Sequence, residues 1–395
     1  AYSYYELYTK FGDIPYTTKV LSIKESMSIA RTAKATVIAN VLADLDEVIN
    51  GNYLPTSYDA DNKGRITRWA AMAIKAKIYL FEGNWTQVKN ITSTIMTEGG
   101  FKLFGSYAGL FESANEYNSE VILDAQYRPT SREHQMMYVF LPPTLGGYSQ
   151  LSPLQELVDS YIMLDGKTIK ETGTSFDESH PYANRDPRLK ATVMYTGNSY
   201  TLADGTEVVI NCEKGEGKDG YGVGSDCSAT GYYIKKYWDN TYRATLYSGL
   251  NPILIRYADI LLMNAEALAE LGELDKTAWD ATIKPIRDRA GFTLASALEF
   301  PEGASKDKLI EIVRNERRSE LALEGHRHKD IIRWRIADNV LNGWCHGLKT
   351  NDVVGTDDGY VRVENRTFNA NKHYLWPIPQ AERDLNGNLE QNPNW

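Results

Sequence analysis

The sequence predicts a mainly α-helical protein, in which tetratricopeptide-like helix-turn-helix pairs form an α-α superhelix with a long irregular insert containing short strands. Apolar residues recur at helical spacing over 24–100 and 252–335. Between them, 101–250 holds strand-like runs joined by Gly-rich connections, and 336–395 is also irregular. We therefore expect a single domain over 1–395, in which the helical ranges form the scaffold and the irregular ranges supply packing and binding surfaces.

The composition is that of a globular protein and disfavours two classes of function. Hydrophobic residues make up 42% of the chain and charged residues 24%. The net charge of −9 argues against nucleic acid, because phosphate binding needs a basic face. No apolar run reaches the 18 residues that a membrane-spanning helix needs. The 26 Tyr and 8 Trp are numerous, and such amphipathic rings serve either as core wedges or as half-exposed contact surfaces.

The N-terminal part is expected to begin irregularly and then to form three helices. Residues 1–23 are rich in aromatic side chains but lack helical spacing. A helix is predicted over 24–50. A helix pair follows, Arg68–Glu82 and Trp85–Thr97, with a Gly-Asn turn between the two helices. Alanines on the first helix allow close approach, which is typical of a tetratricopeptide repeat.

The insert is expected to contain strands and loops. A short helix is predicted in LQELVDSYIMLDGK, and strands in EVILDAQY, RDPRLKATVMY, TEVVINCEK and GYYIKKYW. GEGKDG matches the G-x-G-x-x-G pattern, but turn and strand residues follow it, so a dinucleotide site is excluded. A hairpin is predicted in DDGYVRVENRTF. Pro377 and Pro379 exclude regular helix near the C-terminus.

A second helical region, Pro252–Trp334, is predicted to contain three helices. The first, PILIRYADILLMNAEALAELGEL, has an apolar stripe, with Pro252 in its first turn and Gly272 at its end. An Ala followed by a Gly seven residues later occurs here as in the earlier pair, so we expect two matching scaffold units. Asp259, Glu266 and Glu270 lie off the stripe and are expected to stay exposed to water.

A row of carboxylates, Glu316, Glu320 and Glu324, follows i, i+4, i+8 spacing on the last of these helices, among several arginines. Two interpretations are open. Paired carboxylates are the machinery of a glycoside hydrolase. Three glutamates beside arginines are more simply an ion-pair lattice that joins neighbouring helices, which we favour. The residues expected to hold the scaffold together are Arg256, Asp259, Glu266, Glu316, Arg317, Glu320, Glu324, Arg327 and Trp334.

No motif predicts a nucleophile, a phosphate loop, a metal or a cofactor. His326 and His328 are alternate residues at a helix end, so they point apart and make a poor metal pair. The acidic loop at 59–64 imitates a calcium loop but lacks its late acidic ligand. Cys212 and Cys227 flank a Gly-rich loop, and either a disulfide or free thiols fits the sequence.

The functional signal that remains is the aromatic density of the loops. Sugar rings stack on Tyr or Trp, and their hydroxyl groups bind planar polar side chains nearby. The run 232–247 has this mixture, and the alternative is a strand end that packs its aromatic rings inward. The candidate carbohydrate-binding residues are Trp238, Tyr242, Tyr247, Asp239, Asn240 and Arg243, with Tyr148, Tyr221 and Trp344 as weaker candidates.

Three blocks in order resemble the SusD/RagB family of outer-membrane nutrient-binding lipoproteins. They are IRYADILLMNAEALAELG, RNERRSELALEGHRHKDIIRW and YLWPIPQAERDLNGNLEQNPNW, with weaker matches in AYSYYELYTKFGDIPY and AAMAIKAKIYLFEGNW. The resemblance implies a helical scaffold of tetratricopeptide type and a protein that is not an enzyme. It implies capture of oligo- or polysaccharides at the extracellular face of a Gram-negative outer membrane. The implied partner is a TonB-dependent transporter of the SusC type, on which such proteins sit as a lid.

The sequence departs from the family pattern at its start. Family members carry a lipid-anchoring Cys and a first helical repeat, and we expect both to be absent from this chain. We expect membrane association to depend on that absent anchor, and part of the usual binding surface to be missing. A glycoside hydrolase with two carboxylates, or a scaffold that binds only another protein, are the alternatives.

Overall fold

The computed structural model describes residues 1–395, and it confirms the predicted fold class. The chain is 39% helical and 11% strand. The helices are α1 Tyr2–Phe11, α2 Ile23–Ser26, α3 Lys34–Asn50, α4 Arg68–Phe81, α5 Trp85–Glu98, α6 Met136–Phe140, α7 Gln155–Val158, α8 Pro187–Thr192, α9 Tyr257–Leu271, α10 Lys276–Ala281, α11 Ile283–Ala290, α12 Ala295–Leu298, α13 Lys306–Glu320, α14 Arg327–Arg333, α15 Ala337–Val340 and α16 Gln380–Leu385.

Nine short strands form four small antiparallel sheets. The pairs are β1–β6, β2–β5 and β3–β4, and β9 lies between β7 and β8 in a three-stranded sheet. The strands are β1 Val121–Asp124, β2 Val193–Met194, β3 Ser199–Thr201, β4 Glu207–Val209, β5 Tyr233–Ile234, β6 Ile253–Arg256, β7 Gly343–Lys349, β8 Thr356–Asp357 and β9 Tyr360–Arg366.

The chain divides into two compact units. The first contains 1–99, 326–342 and 367–395, and the second contains 100–325 and 343–366. Of the two helical ranges expected from sequence, 24–100 falls almost wholly in the first unit and most of 252–335 in the second. A single domain over 1–395 stays a prediction.

The first unit is built around the predicted helix pair. The side chain of Thr67 accepts a hydrogen bond from the Ala70 N–H and so caps α4, and Asn84 caps α5 in the same way. Gly83 adopts a φ of 71°, a left-handed conformation that suits glycine, and this allows the tight turn between the two helices. Ala70 and its alanine neighbours on α4 are fully buried, as close helix packing requires.

The C-terminal segment of the first unit is tied to α1. The Trp376 N–H donates to the Lys10 carbonyl oxygen at 2.7 Å. The Asn392 Nδ2 donates to the Phe11 carbonyl oxygen at 3.0 Å, and Arg31 Nη2 donates to the Asn392 side chain at 2.6 Å. These bonds fix an irregular chain end to a helix that the sequence did not predict.

The second unit contains the second predicted helix pair, but the second helix of this pair is interrupted. Gly272 ends α9 in a left-handed conformation, as predicted. The partner of α9 is not one helix but two, because Thr282 interrupts it between α10 and α11. The unit has a large core rich in tyrosine rings, contributed by the segments between 104 and 253 together with Leu323 and Leu348.

Several predicted element bounds were wrong. Residues 1–23 contain α1, and the helix predicted over 24–50 begins only at Lys34. The segment Ile253–Arg256, assigned to a helix, is β6, because it pairs with β1. Most of RDPRLKATVMY is α8, since Asp186 caps a helix with Pro187 in its first turn. Near the C-terminus, α16 begins directly after Pro379. The two prolines therefore exclude regular helix only up to Pro379 and not in the residues that follow.

Candidate functional site

Glu316 and Glu320 lie on α13, whereas Glu324 follows the end of this helix, so the predicted helical row of three was wrong. All three carboxylates are buried against basic side chains. Arg256, at the start of α9, donates to Glu120 Oε1 and Glu320 Oε1, each at 2.6 Å, and to both oxygens of Glu324 at 2.7 Å. Lys236 Nζ lies 2.7 Å from Glu324 Oε1. Burial lowers the pKa of Lys236 to about 8, although Glu324 opposes this shift.

A second buried arginine continues this network. Arg188 lies within 2.9 Å of three carboxylates, those of Asp186, Glu316 and Glu320, and Arg287 Nε donates to Glu316 at 2.7 Å. Burial disfavours the charged form of Glu320, but the surrounding arginines outweigh burial and hold its pKa well below the usual range. These carboxylates are 0–1% exposed, so they cannot reach a substrate. The three glutamates serve as a lattice, and the arginines that complete it come mainly from other elements.

The arginines of α13 itself have other partners. Arg317 Nη1 lies 2.5 Å from Asp259 Oδ1, and both side chains are buried. Arg314 pairs with Glu270 at 2.9 Å. Asp259 and Glu266 were predicted to stay exposed to water, and that prediction was wrong. Both are fully buried, because α13 covers the face of α9 that periodicity alone marks as polar.

Two scaffold candidates lie in the first unit, at α14. Arg327 is the first residue of α14, and its guanidinium lies 5.8 Å from the ring centre of Trp334, which ends the helix. Burial lowers the pKa of Arg327, and Asp330 opposes that shift. His328 contacts the ring of Trp376 and not a second histidine. No group of three or more His, Cys, Asp or Glu side chains in 1–395 is arranged to hold a metal ion.

The predicted aromatic run at 232–247 is largely turned inward. Trp238 packs on Tyr200 with ring centroids 5.0 Å apart, and its Nε1 donates to the Thr201 carbonyl oxygen at 3.0 Å. Tyr242 is only 7% exposed and therefore offers no face to a ligand. Asp239 is buried as well, where its side chain accepts hydrogen bonds from the Thr241 and Ser113 N–H groups.

The polar members of the run are also engaged or only half-exposed. Asn240 is exposed and donates to the Thr201 carbonyl oxygen at 3.0 Å. Arg243 is half-buried. Tyr247 is 43% exposed, so it is the aromatic ring of this run that best offers a surface.

Tyr148 packs on a third tyrosine, Tyr138, and Tyr247 lies near enough to influence Tyr138 electrostatically. Tyr148 is 41% exposed and lies against Tyr138 on α6, with ring centroids 4.4 Å apart. A hydrogen bond with Tyr148 raises the pKa of Tyr138 to about 12, and Tyr247 adds to this shift. We call Tyr138, Tyr148 and Tyr247 the tyrosine cluster. Tyr221 is half-buried against the core, and Trp344 stands apart on β7 with the Arg362 guanidinium 5.6 Å from its ring centre.

An open cleft lies elsewhere in the second unit. It has a volume of about 1110 Å³ and is bounded by the loop 176–185, the loop 211–216 and the turn of the β7–β9 sheet. Tyr182 and Tyr195 form one wall and stack with ring centroids 4.0 Å apart at 17°. None of the predicted carbohydrate-binding residues lines this cleft.

Tyrosine hydroxyl groups and side-chain amides line the cleft next to this tyrosine pair. The hydroxyls of Tyr182 and Tyr232 are 3.2 Å apart, and the Tyr232 hydroxyl donates to Gln155 Oε1 at 2.5 Å. Burial raises the pKa of Tyr182, although the bond with Tyr232 opposes the shift. Asn211 and Asn351 lie at the rim and are exposed. The tyrosines come from three separate segments without a common motif, so only the abundance of Tyr hinted at this site.

Ion pairs join the two sides of the cleft. Lys349 Nζ on β7 lies 2.7 Å from Glu178 Oε1, and Lys214 pairs with Asp352. Arg185 lies at the floor and is buried. The loop 211–216 and the loop 176–185 are thereby connected to the β7–β9 sheet.

A histidine ties the same sheet to α7. His346 Nδ1 lies 2.8 Å from Glu156 Oε1 and its Nε2 lies 3.0 Å from Asp357 Oδ2. Burial disfavours the protonated imidazole, but the two carboxylates outweigh burial and raise the pKa of His346. The three cysteines, Cys212, Cys227 and Cys345, are unpaired in the structure.

The comparisons with known proteins define the class of this chain. Residues 110–395 match the family model described as the SusD family, and residues 1–80 match a model described as starch-binding associating with outer membrane. The chain belongs to the SusD family, and the resemblance noted in the sequence is confirmed.

Individual relatives agree with this assignment. The chain is similar to SusD-like protein P25 of Formosa agariphila, at 28% identity over 86% of the chain, and it spans 63% of the length of that relative. It is similar in structure to a SusD-like carbohydrate binding protein from Bacteroides fragilis, with a TM-score of 0.86 and 29% identity, covering 98% of this chain and 77% of the other. A second SusD-like protein from Bacteroides fragilis gives a TM-score of 0.82 at 28% identity, covering 99% and 77% of the two chains. No helix has the length and apolar character needed to cross a membrane.

Proposed function

We propose that this chain binds glycans without chemical conversion, and that the cleft of the second unit is the principal binding site. The single observation that carries the proposal is the position of Tyr182, which is half-buried, stacks on the buried Tyr195 and lines a cleft of about 1110 Å³ whose rim carries exposed amides. Such a volume exceeds the usual size of a site for a drug-sized ligand and suits an oligosaccharide. The SusD-like protein from Bacteroides fragilis, to which the chain is similar, is described as carbohydrate binding.

The chemistry of the wall suits a sugar ring. A tyrosine ring offers an apolar face to the C–H groups of a sugar, while its hydroxyl group reaches a polar partner. Asn211 and Asn351, which are exposed at the rim, supply amide groups for sugar hydroxyls. Binding at an open cleft is expected to be of modest affinity, because a flexible oligosaccharide loses conformational entropy on binding.

We further propose delivery to a TonB-dependent transporter of the SusC type at the extracellular face of the outer membrane. The family model that matches residues 1–80 is described as associating with outer membrane, which supports this location. A lipid anchor would supply membrane association. The tyrosine cluster is a second, smaller surface on which a longer glycan could extend, and it retains Tyr148 and Tyr247 from the sequence prediction.

A glycan panel with a product assay tests the proposal. Oligosaccharides of different backbone are titrated by calorimetry, and reducing ends are measured after long incubation with the protein. Binding without release of reducing ends is expected. Release of reducing ends would replace the proposal with a glycoside hydrolase. If no glycan of the panel binds and the protein co-purifies with a SusC-type transporter, a protein-binding scaffold would replace the proposal.

A further inference from the structure

We infer that the cleft selects uncharged glycans and discriminates against glycans that carry sulfate or carboxylate groups. This inference rests on the proposed function and names the ligand class of the same site. It follows from the partners of the charged side chains that line the cleft. Five of these side chains are acidic and three are basic. The basic ones are Arg185, Lys214 and Lys349, and the acidic ones are Asp159, Glu178, Glu213, Glu216 and Asp352.

Arg185 is not available to an anionic ligand. Its Nη2 donates to the carbonyl oxygens of Val158 and Tyr161, each at 2.7 Å, and its Nη1 donates to that of Pro181 at 2.7 Å. The side chain is buried, and its guanidinium lies 5.5 Å from the ring centre of Phe176. Turning this guanidinium toward a ligand would leave buried carbonyl oxygens without donors, at a substantial cost in free energy.

The two lysines are already neutralised. Lys349 pairs with Glu178, and Lys214 pairs with Asp352. A sulfate or carboxylate group that took either lysine would leave the former carboxylate partner unpaired beside the ligand. The exchange replaces one ion pair with another and adds repulsion between two anions, so it gives no net attraction.

Two of the remaining carboxylates, both at the rim, have no cationic partner. Glu213 and Glu216 are exposed on the loop 211–216 and form no ion pair. Asp159 accepts a hydrogen bond from Gln155 Nε2 at 2.7 Å. The net charge of −9 adds a repulsive field at longer range. An approaching polyanion therefore meets unpaired negative charge at the entrance.

An uncharged sugar avoids these costs. Its hydroxyl groups can donate to carboxylate oxygens and accept from amides, and its ring can lie on a tyrosine face. Unpaired carboxylates are good acceptors for such hydroxyl donors, and these charge-assisted hydrogen bonds are stronger than neutral ones. The same side chains that repel a sulfate group thus favour a neutral polyol.

Matched ligand pairs test the inference. Uncharged gluco-, manno- and xylo-oligosaccharides are compared with sulfated or uronate-bearing counterparts of the same backbone and length. We expect the uncharged form to bind about 3- to 10-fold more tightly at low salt, a ratio that shrinks as ionic strength rises, because exposed charges are screened. Glu213→Lys should bring the affinities for the uncharged and the anionic glycan closer together. The matched control is Glu302→Lys, which lies at an exposed site outside the cleft and should leave the ratio of the two affinities unchanged.

Two further outcomes separate this inference from the proposed function. Equal or tighter binding of the anionic glycans, abolished by Tyr182→Ala, would overturn the charge selection and leave glycan binding in the cleft intact. Absence of binding by every glycan, charged or not, would overturn the proposed function and the inference with it. A ratio that persists in Glu213→Lys and in Glu213→Lys/Glu216→Lys would also overturn the inference, since the rim carboxylates are then not its cause.

Discussion

Tyr182 stacks on Tyr195 at a ring-centroid distance of 4.0 Å, and its hydroxyl group also lies 3.2 Å from that of Tyr232. The first contact uses the face of the ring and the second uses its polar tip. One side chain thus joins the apolar wall of the cleft to its hydrogen-bonding part. This double role makes Tyr182 the most informative residue of the cleft to change.

Tyr182→Ala is expected to weaken glycan binding by about fivefold, because it removes a ring face worth roughly 1 kcal/mol. Tyr182→Phe is the matched control, since it keeps the ring and loses only the hydroxyl group, and it should stay within about threefold of the unchanged chain. Calorimetric titration with a glycan that binds the unchanged protein measures both. Equal loss in the two variants would show that the hydroxyl group, and not the ring face, carries the affinity.

Tyr247→Ala is expected to leave short oligosaccharides unaffected and to weaken longer chains by about two- to fivefold. The tyrosine cluster is a separate exposed surface, and a second contact raises affinity only when one ligand spans both places. A length series of one glycan, titrated against both proteins, measures the effect. Trp238→Ala is the contrasting variant, because Trp238 packs on Tyr200 and its loss should lower the melting temperature. Loss of short-chain binding in Tyr247→Ala would place the principal site at the cluster.

The sequence predicted α4 and α5 well because the residues that determine these helices lie within them or directly beside them. Thr67 and Asn84 are capping residues, Gly83 suits the turn, and the alanines of α4 are small enough for close helix packing. The segment Ile253–Arg256 shows the opposite case. A short apolar run fits a helix or a strand, and what decides it is pairing with β1, more than a hundred residues earlier.

The candidate site was harder to predict for the same reason. Tyr182, Tyr195 and Tyr360 share a cleft only after the chain has folded, and no local pattern distinguishes them from core tyrosines. Conversely, the run at 232–247 has a local composition that suits sugar binding, yet Tyr242 is buried. Sequence composition shows which rings are available, but the surface each ring presents depends on long-range packing.

Arg256→Met is expected to destabilise the protein by about 3–5 kcal/mol, because it leaves three buried carboxylates without their shared cation. Chemical denaturation at neutral pH measures the change in free energy of unfolding. Lys276→Met is the matched control, since Lys276 pairs with Asp280 and Glu299 at the exposed surface, and it should cause little change. Similar destabilisation in both variants would contradict a structural role for the buried lattice.

A pH dependence is expected from His346. Its pKa is raised in the folded chain, so the bridge contributes full stability below the unfolded value of about 6.5 and loses it as pH rises through the higher folded value. The charged groups around the imidazole are Glu156 on α7, Asp357 on β8 and Arg362 on β9. Arg362 pairs with Asp357 and therefore competes for one of the two carboxylates.

His346→Gln should accordingly reduce stability at pH 5.5 more than at pH 8.5, because the neutral imidazole resembles the amide in charge. Thermal melts of both proteins across this range measure the difference. His180→Gln is the control, since His180 forms a pair with Asp177 that is exposed on both sides and contributes little. The NMR titration of the His346 ring gives an independent check, and a midpoint at or below 6.5 would contradict the bridge.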